Sequence, residues 1–144
     1  MPPRGLKVTR SFCGAAGARG HRLREAVSAS ARRALHNRRL AYAMIAEPVE
    51  AAVDDARLEW RRRIGEALAG LIAEGVAQGA FRPVDPQLAA ACVVGAFMEA
   101  LVGPLTPATL LDDDNKLAAD IAGLCLAIVE APDPTEEAPK EEAR

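Results

Sequence analysis

Apolar side chains recur three and four positions apart along most of the chain, which is the spacing of one face of an α-helix. β-branched and aromatic residues are scarce while alanine is abundant, so strands are not expected. The pattern predicts four main helices, at residues 22–46, 49–78, 86–102 and from the end of "LLDDDNK" to residue 131. The predicted fold is therefore all-α, a helical bundle of about four main helices.

Proline and glycine residues separate these predicted helices. Pro48 ends the first helix, because the residue before a proline is held out of the helical conformation. Gly79 suits the C-terminal end of the second helix. Asp85 followed by Pro86 suits the start of the third helix, as an N-cap and a first helical residue.

The two ends of the chain lack helical periodicity. Residues 1–20 contain two prolines and four glycines and are predicted to form an irregular leader. Residues 132–144 are charged and proline-bearing, with nothing to bury, and are predicted to be disordered. The folded domain is therefore predicted to span residues 21–131.

The third and fourth predicted helices are apolar on nearly all sides, and Glu99 is the single charge within the third. Small residues stand between the larger side chains and allow another helix to approach closely. Because an apolar face of this size usually marks an interface, we expect a homodimer formed by these two helices. The candidate interface residues are Leu88, Cys92, Gly95, Val102, Leu117, Ile121, Leu124 and Ile128.

Few side chains are large enough to fill the centre of a helical bundle. Tyr42, Met44, Trp60, Phe97 and Met98 are either ordinary core residues or the lining of a ligand cavity. Helical spacing also brings Ile64 onto the face of Trp60. With two charged residues considered below, the candidate ligand-binding residues are Tyr42, Met44, Arg57, Trp60, Ile64, Phe97, Met98 and Glu99.

Arg57 lies on the apolar face of the second predicted helix. An unpaired charge there would cost several kcal/mol, so a partner is expected. An internal ion pair with Glu47 or Glu99 is favoured over a direct contact with an anionic ligand, and both interpretations stay open.

The charge is unevenly distributed. The first 39 residues hold ten Lys or Arg residues against one acid, Glu25, and the remainder holds eight against nineteen. A basic stretch can contact nucleic acid, but no pattern of two short helices joined by a turn accompanies it. A solvated helix face is therefore favoured over contact with DNA.

The residue types that carry catalysis or metal binding form no recognisable set. The three cysteines have no metal-ligand spacing to one another or to a histidine and are expected to be reduced thiols in a cytoplasmic protein. No metal site, cofactor or catalytic group is predicted. The apolar run that begins at Leu88 contains Glu99 and ends at Pro104, so it is expected to be a buried helix rather than a membrane span.

Several segments resemble the C-terminal half of a tetracycline-repressor (TetR) family transcription regulator. They are "AEPV" at the end of the first helix, "GVAQGAFRPVDP" between the second and third, and "GAFMEALVGPL" in the third, and the likeness covers about residues 26–131. The resemblance implies an all-helical domain that binds a small, often hydrophobic effector. It also implies a dimer in which the last two long helices of each copy form a four-helix bundle.

The DNA-reading helix-turn-helix that precedes this domain in the family has no counterpart in the sequence. DNA binding is therefore expected only through such a domain outside this chain. The chain itself is either a fragment, the product of a misassigned start or a stand-alone module. The alternatives to an effector-binding regulator are a helical small-molecule binder or enzyme and a purely structural dimerisation bundle.

Overall fold

The computed structural model describes residues 6–130, with side chains from residue 17 onward, and all regular structure in this part of the chain is helical. The all-α prediction is confirmed. α1 packs along α5, α3 packs along α4, and α2 lies against α4. The helices are α1 (Leu6–His36), α2 (Arg38–Ile45), α3 (Ala51–Ala77), α4 (Pro86–Leu105) and α5 (Asp114–Ala127).

The start of α1 differs from the prediction. Residues 6–20 are helical, so an irregular leader is wrong for them, while residues 1–5 and the predicted tail at 132–144 lie outside the described residues. The stretch has no apolar stripe of its own, but its last two residues contact other helices. Gly20 lies beside Leu126 of α5, and Arg19 Nη1 is 2.9 Å from Glu74 Oε2 of α3. At residues 19 and 20, tertiary contacts thus favour a helix that the local pattern does not predict.

The first predicted helix is broken at Asn37, whose φ of −115° and ψ of 50° separate α1 from α2. Asparagine favours such breaks because its short side chain bonds to nearby backbone groups. The break positions Arg38 so that its guanidinium donates hydrogen bonds to the carbonyl oxygens of Pro104 and Thr109. Those contacts hold α2 against the end of α4.

The end of α3 is closed by a Schellman motif. The N–H of Ala80 donates to Gly75 O at 2.8 Å, and the N–H of Gly79 donates to Val76 O at 3.0 Å. Gly79 has a φ of 68°, a conformation that favours glycine, which confirms its predicted place at the helix end. The motif returns the chain so that the ring of Phe81 packs on Gly75.

The starts of α4 and α5 carry aspartate caps. Asp85 accepts the N–H of Leu88 at 2.7 Å, and Pro86 occupies the first turn, as predicted. Asp113 accepts the N–H groups of Asn115 and Lys116, both at 2.9 Å. A cap of this kind contributes about 1 kcal/mol to helix stability.

The core runs through the centre of the bundle, and α4 contributes the most to it. Its buried residues come from one side of the helix and include Val93 and Leu101, which are fully buried. By length and composition α4 is also the one helix of the described chain that could cross a membrane, with 44% of its most apolar stretch buried in the fold. That is weak support for a membrane span, since core helices of soluble proteins meet the same criterion.

Candidate functional site

A cavity of about 510 Å³ lies between α1, α2, α3 and α4. Its inner wall is made of buried apolar side chains: Val27, Leu68, Val93, Val94 and Phe97. Its mouth is marked by exposed residues: Ser30, Arg33, Asn37, Leu40, Trp60 and Ala67. A pocket of a few hundred Å³ with an apolar wall and a few polar groups is the usual form of a small-molecule site.

Four of the predicted ligand-binding residues meet in this cavity. Met44 comes from α2, Trp60 and Ile64 from α3, and Phe97 from α4. The spacing of four between Trp60 and Ile64 puts both on one face of α3. Trp60 is 39% exposed although it is the chain's largest apolar side chain, because it stands at the mouth.

The other predicted ligand-binding residues lie elsewhere. Tyr42 is half-buried against the core and lines neither this cavity nor the groove described next. Met98 and Glu99 line a groove of about 620 Å³ between α3 and α4. That groove is more polar, and its charged lining residues are Arg61, Arg62, Glu66 and Glu99.

Arg57 is 7% exposed and belongs to neither space. Its guanidinium donates hydrogen bonds to the backbone oxygens of Ala43 and Glu47, with Nη1 at 2.8 Å from Glu47 O. The predicted ion pair with the carboxylate of Glu47 or Glu99 is therefore wrong for the described residues. The partners are carbonyl groups in the last turn of α2 and just beyond its end, which a cation suits.

Replacing Arg57 with methionine should lower the free energy of unfolding by about 2 kcal/mol, because two carbonyl groups lose a charged donor in a buried place. Arg63→Met, an exposed change in the same helix, should cost less than about 0.5 kcal/mol. Urea unfolding of both variants measures the difference. Equal losses would contradict the structural role of Arg57.

The remaining arginines of α3 are on its outer surface or in the groove. Glu59 lies 2.8 Å from both Arg62 Nε and Arg63 Nε, and these two guanidinium groups lower the pKa of Glu59 to about 2. Such solvated pairs add little stability. Arg61 lines the groove, and its buried Nε has no hydrogen-bond partner among the described residues.

The predicted interface residues divide by exposure. Leu88, Cys92 and Gly95 form an exposed stripe on α4, and Leu124 of α5 is 75% exposed. Val102, Leu117 and Ile128 are half-buried. Ile121 is 4% exposed and packs inside the chain's own core, so it is not part of an accessible face. Helical spacing places Ile121 near the face of Leu124, but its side chain is buried in the core and Leu124 is exposed.

Comparison with known proteins supports the resemblance found in the sequence. The family model "Tetracyclin repressor-like, C-terminal domain" matches residues 17–123, which is more than half of the chain. The chain belongs to the TetR family, as a C-terminal domain. The match begins before residue 21 and so includes part of the stretch that was predicted to be irregular. No curated protein and no solved structure matches the chain.

Membership in the TetR family gives the chain a general role. C-terminal domains of this family are the ligand-binding parts of transcription regulators, which are generally not enzymes. Such domains typically dimerise and bind small-molecule effectors.

Sequence reasoning missed the polar part of the cavity. Ser30, Arg33 and Asn37 are spaced by three and four residues and therefore share one helix face. That spacing is the sequence signal that could have grouped them. Arg33 is predicted instead to belong to a solvated basic stretch, and no role is predicted for Ser30 and Asn37. Small residues at the mouth, such as Ala67, also went unnoticed because an alanine on a helix gives no sign of standing beside a cavity.

Proposed function

We propose that this chain is the effector-binding and dimerisation part of a TetR-family regulator, and that its effector is a small hydrophobic molecule. The observation that supports this is the cavity of about 510 Å³, where Met44, Trp60, Ile64 and Phe97 converge on an apolar wall. Its volume is within the range of small-molecule sites. We further propose that the chain acts in the cytoplasm as part of a repressor.

α4 is the element that would transmit binding. One side of it supplies Val93, Val94 and Phe97 to the cavity wall, and the opposite side carries the exposed stripe of Cys92 and Gly95. If two copies pair through that stripe and α5, a ligand against Phe97 biases the position of α4 and hence the arrangement of the dimer. A DNA-reading domain joined to each copy would then change its half-site spacing.

The binding proposal is tested with N-phenyl-1-naphthylamine, a neutral apolar fluorophore. The chain has one tryptophan, at position 60 in the cavity mouth, so energy transfer from Trp60 to the probe should follow binding. A probe concentration of about 100 times its Kd should raise the free energy of unfolding by about 2.7 kcal/mol.

Ala67→Phe should weaken binding of this probe at least about tenfold, because a phenyl ring at the mouth takes space that the probe needs. Ala73→Phe is the matched control, since Ala73 is exposed on the same helix and lines neither the cavity nor the groove. Fluorescence titration gives both affinities. A probe that binds all three proteins equally, or none of them, would contradict a ligand site in this cavity and favour a purely structural bundle.

A further inference from the structure

The polar groups of the cavity are gathered at one edge of its mouth. Ser30, Arg33 and Asn37 belong to the end of α1 and the junction that follows it. The rest of the lining is apolar or made of alanine, and Arg33 is the charged member among the described residues. The cavity therefore has an apolar interior and a positively charged rim.

Unlike the side chains of Arg32 and Arg38, the side chain of Arg33 has no hydrogen-bond acceptor among the described residues. Arg32 Nη1 donates to Ser28 Oγ at 2.7 Å, and Arg38 donates to the carbonyls of Pro104 and Thr109. The guanidinium of Arg33 is exposed at the mouth, where it has five N–H donors available.

The other two polar groups of the rim are already engaged. Ser30 Oγ donates to Ala26 O at 2.8 Å, and Asn37 Nδ2 donates to the backbone oxygen of Arg33 at 3.4 Å. Among the described residues no aspartate or glutamate lines the cavity to neutralise Arg33. The charged donor that is available to a ligand is thus the guanidinium.

We propose that the ligand of this cavity is an amphipathic organic acid. Its apolar body lies against Val93, Val94 and Phe97, and its carboxylate or sulfonate head is held by Arg33 at the mouth. The proposal rests on the proposed function and narrows it, from a hydrophobic molecule to one with a single anionic end. Guanidinium groups suit this role because they bind planar anions through two parallel hydrogen bonds.

The surroundings of the mouth favour the same class of ligand. Arg39 is exposed within about two turns of Arg33 and adds a second positive charge near the mouth. A positive rim raises the rate at which anions reach the site and makes their binding sensitive to salt. In this proposal, the basic stretch at residues 22–39 attracts an anionic ligand to the cavity rather than contacting DNA.

Two probes that differ by one group test this inference. 8-Anilinonaphthalene-1-sulfonate has the skeleton of N-phenyl-1-naphthylamine with an added sulfonate, so the pair isolates the contribution of the anionic head. Arg33→Met should weaken binding of the sulfonate probe about tenfold and leave the neutral probe within about twofold. Arg33→Lys should restore part of the affinity for the sulfonate. High salt should weaken only the sulfonate probe.

Arg39→Met is the charge-matched control, because Arg39 is exposed nearby and does not line the cavity. It should weaken the sulfonate probe far less than Arg33→Met does, because Arg39 adds to the local positive potential without lining the cavity, and it should leave the neutral probe unchanged. Ala67→Phe shows whether the sulfonate probe occupies the cavity, since it should weaken that probe as well.

The possible outcomes separate this inference from the proposed function. If Arg33→Met weakens the binding of both probes equally, Arg33 only shapes the cavity. If it weakens the binding of neither, Arg33 contacts no ligand. Either result overturns the proposal of an anionic ligand and leaves the proposed ligand cavity standing. If neither probe binds the unchanged chain, the proposed ligand cavity fails and this inference fails with it.

Discussion

Replacing Gly75 with alanine should lower the free energy of unfolding by about 3 kcal/mol, because the new methyl group would overlap the ring of Phe81. An ideal Cβ at this position overlaps the Cδ2 and Cε2 atoms of that ring and lies only 3.0 Å from its Cγ. The ring is buried, with 4% exposure, and its own N–H donates to Gly75 O at 3.2 Å. The Schellman motif therefore fixes the ring against the glycine, and relief requires the turn to move.

Gly70→Ala is the matched control in the same helix. No atom lies within 4 Å of a Cβ built at Gly70, so the substitution adds only helix propensity and should raise stability by up to about 1 kcal/mol. Urea unfolding of both variants should give changes of opposite sign.

A double-mutant cycle identifies the cause of the loss at Gly75. With Phe81→Leu already in place, Gly75→Ala should cost about 1 kcal/mol or less, because the ring that it would overlap has gone. Additive losses would show that the contact with Phe81 is not what excludes a side chain from position 75.

The second large effect is expected at Gly95 of α4. Gly95→Leu should convert the proposed dimer into a monomer, or weaken its association at least about a hundredfold, because a leucine would hold the two α4 helices apart. Within one copy there is room for it, since Gly95 is exposed and no atom lies within 4 Å of a Cβ built there. The folded protomer should therefore persist.

Sedimentation velocity measures this change, with circular dichroism to show that the helices are retained. Gly70→Leu introduces the same residue at an exposed glycine of α3 and should leave the association state unchanged. A Gly95→Leu protein that sediments as the unchanged dimer would show that the two copies meet on some other face.

Helix positions and helix ends followed from the sequence because they depend on local chemistry. The three-and-four spacing of apolar residues located α3, α4 and α5. Gly79 and Asp85 cap their helices as predicted, because a helix end favours glycine and a helix start favours aspartate. The break at Asn37 was not predicted, although asparagine favours such breaks through bonds of its side chain to nearby backbone groups. At the early part of α1, the contact of Arg19 with Glu74 joins residues 55 positions apart. Local pattern does not contain that information.

The candidate site was predictable in part, for a related reason. Helical spacing and side-chain size brought Trp60, Ile64 and Phe97 together correctly, since large apolar residues on inward faces must meet in a bundle. The partner of Arg57 was not predictable, because it is a pair of backbone carbonyls, and every residue type carries the same carbonyl group.

The most direct test of the central claim, that the cavity is a site for a hydrophobic ligand, is a crystal structure of the chain with saturating N-phenyl-1-naphthylamine. We expect the probe to lie between Phe97 and Trp60, with its rings against Val93 and Val94. A probe seated in the groove between α3 and α4 or on the exposed stripe of α4, with the cavity free of it, would contradict the account.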